Sequence, residues 1–188
     1  SAKGAAYTYY RPAGNSVEIK GEWTVKFISG GPVLPDPVKV DQLSSWTEFN
    51  GNNLQAFSGT ASYTTTFNKP AEKAAAWQLD LGKVYESAVV YLNGVKLATL
   101  LGPQFTVTIP SAQLKGLNKL EVRVSNLMAN RVIDMEKKNI PYKIFYNTNF
   151  PAHNRENRGE DGLFTTSKWS PKPSGIVGPV KLVPLNIF

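Results

Sequence analysis

The sequence has no cysteine, a single histidine and two methionines. Without cysteine there is no disulfide, no thiolate metal site and no thiol nucleophile. One histidine, His153, cannot supply the second ring of a histidine zinc motif. A Ser-His-Asp triad would have to be built on it, and no Gly-x-Ser-x-Gly elbow is present. No glycine loop of the phosphate-cradling kind follows a strand and opens a helix, and no Asp-x-Asp calcium loop is visible. No cofactor is therefore expected. No apolar run approaches the length that crosses a bilayer, and no signal peptide is visible, so no membrane partner is expected.

Acidic residues are also scarce. There are 14 Asp and Glu against 21 Lys and Arg, a formal charge of +7. Glycosidic bond cleavage needs two carboxylates flanking the bond. The clusters available are Asp134 with Glu136, and Glu156 with Glu160 and Asp161. Both lie in a polar stretch where charges are ordinarily just hydrated, so no self-contained active site is expected. The basic residues are mostly scattered singly, and no nucleic-acid reader motif accompanies them. Nucleic acid is not an expected partner, whereas an acidic polysaccharide is compatible with the sign of the charge.

What the chain does have is period-two alternation from end to end, the pattern of half-buried strands. Trp23, Val25 and Phe27 share a face. Ala61, Tyr63, Thr65 and Phe67 do the same, as do Trp77, Leu79 and Leu81. Phe105, Val107 and Ile109 follow, then Leu120, Val122 and Val124, then Val180 and Leu182. Ser87 to Leu92 is apolar on both faces and reads as a central strand. It runs into Asn93-Gly94, a two-residue hairpin signal whose residues tolerate positive φ. One helical turn is expected near Trp46 and another at Ser111 to Leu114, with Ser111 as its cap. The expected architecture is an all-β antiparallel sandwich of about eight to ten strands. Residues 1–16 read as a linker or remnant, and 17–188 as one domain.

One segment breaks the alternation. The connection at 130–174 is long, polar and aromatic, with prolines at 141, 151, 171 and 173. Connections of this length are uncommon unless they have a function. A short helix over Arg131 to Lys138, ended by Pro141, is expected within it. The segment either carries a binding surface or merely covers an edge of the sandwich.

Five stretches resemble a known family when taken in order. They are Gly21-Glu22-Trp23-Thr24-Val25-Lys26-Phe27 with Leu43-Ser44-Ser45-Trp46-Thr47, and Phe57-Ser58-Gly59-Thr60-Ala61-Ser62-Tyr63. Leu79-Asp80-Leu81-Gly82-Lys83-Val84 then leads to Ala88-Val89-Val90-Tyr91-Leu92-Asn93-Gly94. Gly116-Leu117-Asn118-Lys119-Leu120-Glu121-Val122 follows, with Ser125-Asn126 and Asn130-Arg131. Ser174-Gly175-Ile176-Val177-Gly178-Pro179-Val180-Lys181-Leu182 is the last. The set resembles the galactose-binding-like jelly roll of glycoside hydrolase family 2. More narrowly, it is similar to the C-terminal sandwich of family 106 α-L-rhamnosidases. The acidic stretch expected after Asn130-Arg131 is altered here.

That resemblance implies a non-catalytic carbohydrate-binding or accessory domain, with the catalytic acids on a separate domain of the same parent chain. It implies a plant-type polysaccharide or oligosaccharide as partner, rhamnose-containing pectin in the narrower case, and a periplasmic or secreted bacterial location. A purely structural module that packs between domains is the alternative. Sugars are held by aromatic rings under their C–H faces and by amide, acid and guanidinium groups on their hydroxyls. The connection supplies both kinds. Trp169 is the expected platform, with Tyr142, Tyr146, His153, Arg155 and Arg158 around it; Asn130 and Arg131 join them from the resembled pattern. Trp169 and Phe145 read equally well as pins that hold the connection to the sandwich. Trp23, Trp46 and Trp77 are expected in the core.

Overall fold

A computed structural model of the chain describes residues 8–51, 53–143 and 154–187. In chain order the strands are β1 (Tyr10–Pro12), β2 (Val17–Glu18), β3 (Trp23–Gly31), β4 (Val38–Val40), β5 (Ser58–Asn68), β6 (Ala76–Asp80) and β7 (Lys83–Tyr85). There follow β8 (Ser87–Leu92), β9 (Val95–Leu101), β10 (Thr106–Pro110), β11 (Leu117–Ser125), β12 (Gly175–Gly178) and β13 (Lys181–Ile187). Helix α1 (Ala129–Lys137) lies between β11 and β12. One sheet has the order β4-β3-β5-β11-β8-β9 and the other β1-β13-β6-β10, with β2 also on β13. A small ribbon of β7 and β12 stands apart from both. The two large sheets pack as the antiparallel β-sandwich that the alternation predicts.

The alternating residues meet between the sheets. Trp23, Val25 and Phe27 of β3, Tyr63 of β5 and Val122 of β11 face Trp77 and Leu79 of β6 and Leu182 of β13 in one buried cluster. Trp23, Trp46 and Trp77 are all inside it, as their positions in the pattern predict. Phe27, Trp46 and Phe57 meet edge to face at centroid distances of 5.0–5.8 Å, the arrangement that the ring quadrupoles favour. The indole N–H groups of Trp46 and Trp77 are buried without a hydrogen-bond partner among the described residues.

Strand β8 is penultimate rather than central, flanked by β11 and β9. Its outer face is apolar because Val89 and Tyr91 are half-buried there, with the Arg123 guanidinium 4.7 Å over the Tyr91 ring. The Asn93-Gly94 turn forms as predicted, with φ of 53° and 84°. Strand β1 lies inside the stretch read as linker. It pairs with β13 through its backbone while its side chains stay exposed, so it leaves no burial pattern in the sequence. The turn at Ser111 is a 3-10 turn over Ser111–Gln113, but Pro110 occupies the cap position. The Ser111 hydroxyl instead donates to the Ala74 carbonyl at 2.5 Å, tying the turn to the start of β6.

The resembled motifs serve hydrogen-bond networks that position loops. Asp80 accepts from the Gly82 amide at 2.9 Å. Gly82 has φ +65°, and a Cβ there would lie 2.5 Å from the Gly178 carbonyl group, so the position demands glycine. Asn118 is fully buried. It accepts from the Lys115 amide (2.9 Å) and from Asn93 Nδ2 (3.1 Å), and it donates to the Lys115 carbonyl (2.8 Å).

Candidate functional site

The described part of the connection at 130–174 is well anchored at both ends. Helix α1 ends in a Schellman arrangement. Asn139 has φ 53°, its amide bonds to the Glu136 carbonyl (3.1 Å), and the Ile140 amide reaches back to Met135 (2.8 Å). The helix therefore stops ahead of Pro141. At the far end, Asn130 pairs with the Lys172 backbone in both directions: its Oδ1 accepts from the Lys172 amide (2.7 Å) and its Nδ2 donates to the Lys172 carbonyl (2.9 Å). Asn126 and Asn130 both donate to Ser174 Oγ, and the Ser174 amide donates to Ser45 Oγ (2.9 Å). Asn126 also accepts from the Gly59 amide at 2.8 Å. Four of the resembled stretches thus converge on one buried polar knot around Ser174.

Above this knot lies a cleft of about 370 Å³. One wall is Tyr85, the last residue of β7, and Glu86, which links it to β8; another is Leu127, Ala129 and Asn130 at the start of α1. Trp169 and the Lys172–Ser174 run complete it. Trp169 is half-buried. Its indole N–H donates to Asn157 Oδ1 at 2.8 Å, and its ring meets Phe164 edge-on at 5.8 Å. The Lys172 ammonium sits 5.5 Å from the ring centre. The ring is therefore held in place by polar bonds at its edge while it faces the cleft. Asn130 has both amide hydrogens committed, so it shapes the cleft floor and has no donor left for a ligand. Among the described residues neither Glu86 nor Lys172 forms an ion pair, so both charges are free to meet ligand hydroxyls.

The remaining candidates lie elsewhere. Arg131 pairs with Asp134 at 2.9 Å, one helical turn along. Tyr142 donates its hydroxyl to Glu136 and lines a separate hollow of about 220 Å³. Arg155 opens an exposed 3-10 turn, Arg155–Asn157. Arg158 is exposed in a bridge to Phe164. Tyr146, His153 and Phe145 lie outside the described residues. The structure thus brings Trp169 and Asn130 into one cleft and gives Arg131 and Tyr142 intramolecular partners.

Glu136 was legible only as one of a pair of loop acids. In the structure it is the anchor of the connection. It accepts from Thr165 Oγ1 (2.6 Å), the Thr166 amide (3.3 Å) and Tyr142, with the Lys143 ammonium at 3.5 Å. Burial pushes its pKa upward, but the hydrogen bonds from Thr165, Tyr142 and Thr166 and the Lys143 charge outweigh burial and hold it at about 2. Burial first, then the adjacent carboxylate, raises the Tyr142 pKa above its ordinary value. Tyr85, Glu86 and Leu127 were not singled out from the sequence. The signal available was Leu127-Met128, two apolar residues side by side between polar Asn126 and the helix; both are exposed.

The fold and cleft define an antiparallel β-sandwich with an aromatic recess at one end. No family model matches the chain. A Formosa agariphila protein bearing the name "Putative beta-glucuronidase" is 34% identical across 88% of the chain, which corresponds to 15% of that protein. The solved rhamnosidase of Novosphingobium sp. PP1Y superimposes on 97% of the chain with a TM-score of 0.69 and 25% identity, over 16% of its own length. The β-glucuronidase of Ruminococcus gnavus aligns with 62% of the chain and 22% of its own, at 23% identity and a TM-score of 0.48. The chain thus spans about a sixth of the length of the first two.

Proposed function

We propose that this chain is an accessory β-sandwich domain of a larger glycoside hydrolase, that it recognises carbohydrate, and that it performs no bond cleavage. The observation that carries the reading is Trp169, a ring fixed at its edge and facing a cleft beside Tyr85, with Glu86 and Lys172 for hydroxyl groups. Apolar ring faces with a few convergent polar groups are what small sugar ligands require. Support for the non-catalytic part comes from the carboxylates. The cleft has one, Glu86, where hydrolysis needs two facing the bond, and Glu136 is held ionised by structural partners. Support for the parent comes from the rhamnosidase and the Formosa protein, each several times longer than this chain. Within this reading the family 106 type is the narrower assignment. The glycan is a plant-type polysaccharide such as rhamnose-containing pectin, the catalytic domain lies elsewhere on the same parent, and the location is periplasmic or secreted.

A second reading has its own observation. Leu127 and Met128 are 60% and 58% exposed at the lip of the cleft, as suits a face covered by a neighbouring domain. Affinity electrophoresis through gels containing neutral plant glycans, rhamnose-bearing ones included, separates the two. Retardation of the wild-type chain, lost with Trp169→Ala, supports glycan recognition. Equal migration in every gel supports the packing module.

A further inference from the structure

A second recess is larger than the Trp169 cleft. A groove of about 560 Å³ runs along the open side of the sandwich, between β9, which ends one sheet, and β10, which ends the other. Leu97 and Val107 are half-buried along it, and Thr108 and Gln113 are exposed at its rim. Its charged liners are Lys96 and Lys115, with no carboxylate between them. Some lysines pair with acids, as Lys39 does with Glu22, Lys138 with Asp134 and Lys181 with Asp80. Neither groove lysine does so among the described residues.

Lysines on an edge strand often serve only to prevent edge-to-edge pairing. That explains Lys96 but not Lys115, which lies in the loop after the Ser111–Gln113 turn. Its backbone is gripped on both sides by the buried Asn118. The same Asn118 oxygen accepts from Asn93 in the hairpin turn that precedes Lys96. One buried side chain thus fixes both lysine-bearing segments relative to each other. Two lysines on these fixed segments border a largely apolar floor with hydroxyl and amide groups beside it, a lining that suits a carboxylate-bearing chain.

We propose that this groove is a second glycan site, specific for acidic oligosaccharides of the uronate class, with Lys96 and Lys115 pairing with the sugar carboxylates. It lies at the Leu92 end of β8, whereas the Trp169 cleft lies at the Ser87 end, roughly 17 Å away along the strand. The choice of a glycan among polyanions rests on the accessory-domain reading; the groove and its charge do not.

The test is titration of the chain with an oligogalacturonate, its methyl ester and a single-stranded oligonucleotide, for wild type, Lys96→Gln/Lys115→Gln and Trp169→Ala. The site predicts that oligogalacturonate binds, that added salt weakens binding, that the ester binds at least tenfold more weakly, and that the double lysine variant loses at least tenfold. Trp169→Ala leaves this binding unchanged, which separates failure here from failure of the Trp169 reading. Both lysines are exposed, so an unaltered melting temperature verifies the fold of the double variant. Full-strength binding by the double lysine variant, no binding of oligogalacturonate, or equal binding of the oligonucleotide each overturns the proposal.

Discussion

Replacing Glu136 with glutamine keeps the shape and removes the charge. In the wild type this carboxylate gathers Thr165, Thr166, Tyr142 and Lys143 against helix α1, and Trp169 follows three residues after Thr166. Its pKa of about 2 lies below the value of about 4.3 expected in an unfolded chain. Each pKa unit corresponds to about 1.4 kcal/mol, but solvent screens a partly exposed group, so on the order of 1–2 kcal/mol is the fair figure. For a depressed carboxylate this stability is fully present above the unfolded pKa and is lost as the pH falls through the folded one. At pH 7, Glu136→Gln should therefore melt about 2–8 °C lower in a chain of this size. The gap between the two proteins should shrink steadily from pH 5 to pH 2. Other paired acids, such as Glu121 beside Arg123, act equally in both proteins and cancel. Thermal unfolding followed by circular dichroism at pH 7, 5, 4, 3 and 2.5 measures this directly. A gap that stays constant with pH, or equal melting at pH 7, would refute the anchoring role.

Asn118→Ala removes a fully buried amide that makes three hydrogen bonds, and should cost about 2–4 kcal/mol in urea unfolding. Gly82→Ala places a Cβ against the Gly178 carbonyl at a left-handed φ and should destabilise by more than about 2 kcal/mol; a neutral result would mean the β6–β7 corner relaxes freely.

The sandwich was readable because burial on one face of a strand writes itself as alternation. Trp23, Tyr63, Trp77 and Val122 all lie where that alternation puts them. The hairpin was readable because Asn93-Gly94 satisfies a backbone requirement that few residues meet. Strand β1 was not, because its pairing uses only backbone groups and leaves Tyr10, Arg11 and Pro12 exposed. The cleft was half visible. Trp169 stands out from a polar run, but Tyr85 and Glu86 reach the cleft only because the β8–β11 ladder and the β7–β12 ribbon set where that corner lies. Arg131 shows what a single residue type conceals. It looks like a sugar-gripping guanidinium, yet Asp134 at three residues' spacing on a helix claims it. Glu136 shows the reverse, since its partners Thr165 and Thr166 are almost thirty residues away along the chain.

The most direct test of the central claim is isothermal titration of the chain with a panel of pectin-derived oligosaccharides, neutral rhamnose-bearing fragments included, with Trp169→Ala in parallel. Glycan recognition in the Trp169 cleft predicts a dissociation constant of about 1 mM or tighter for at least one neutral fragment, roughly −4 kcal/mol, weakened tenfold or more in the variant. Heat from no neutral fragment, or the same affinity for such a fragment in Trp169→Ala, would contradict it and leave the cleft as a surface that packs against a neighbouring domain.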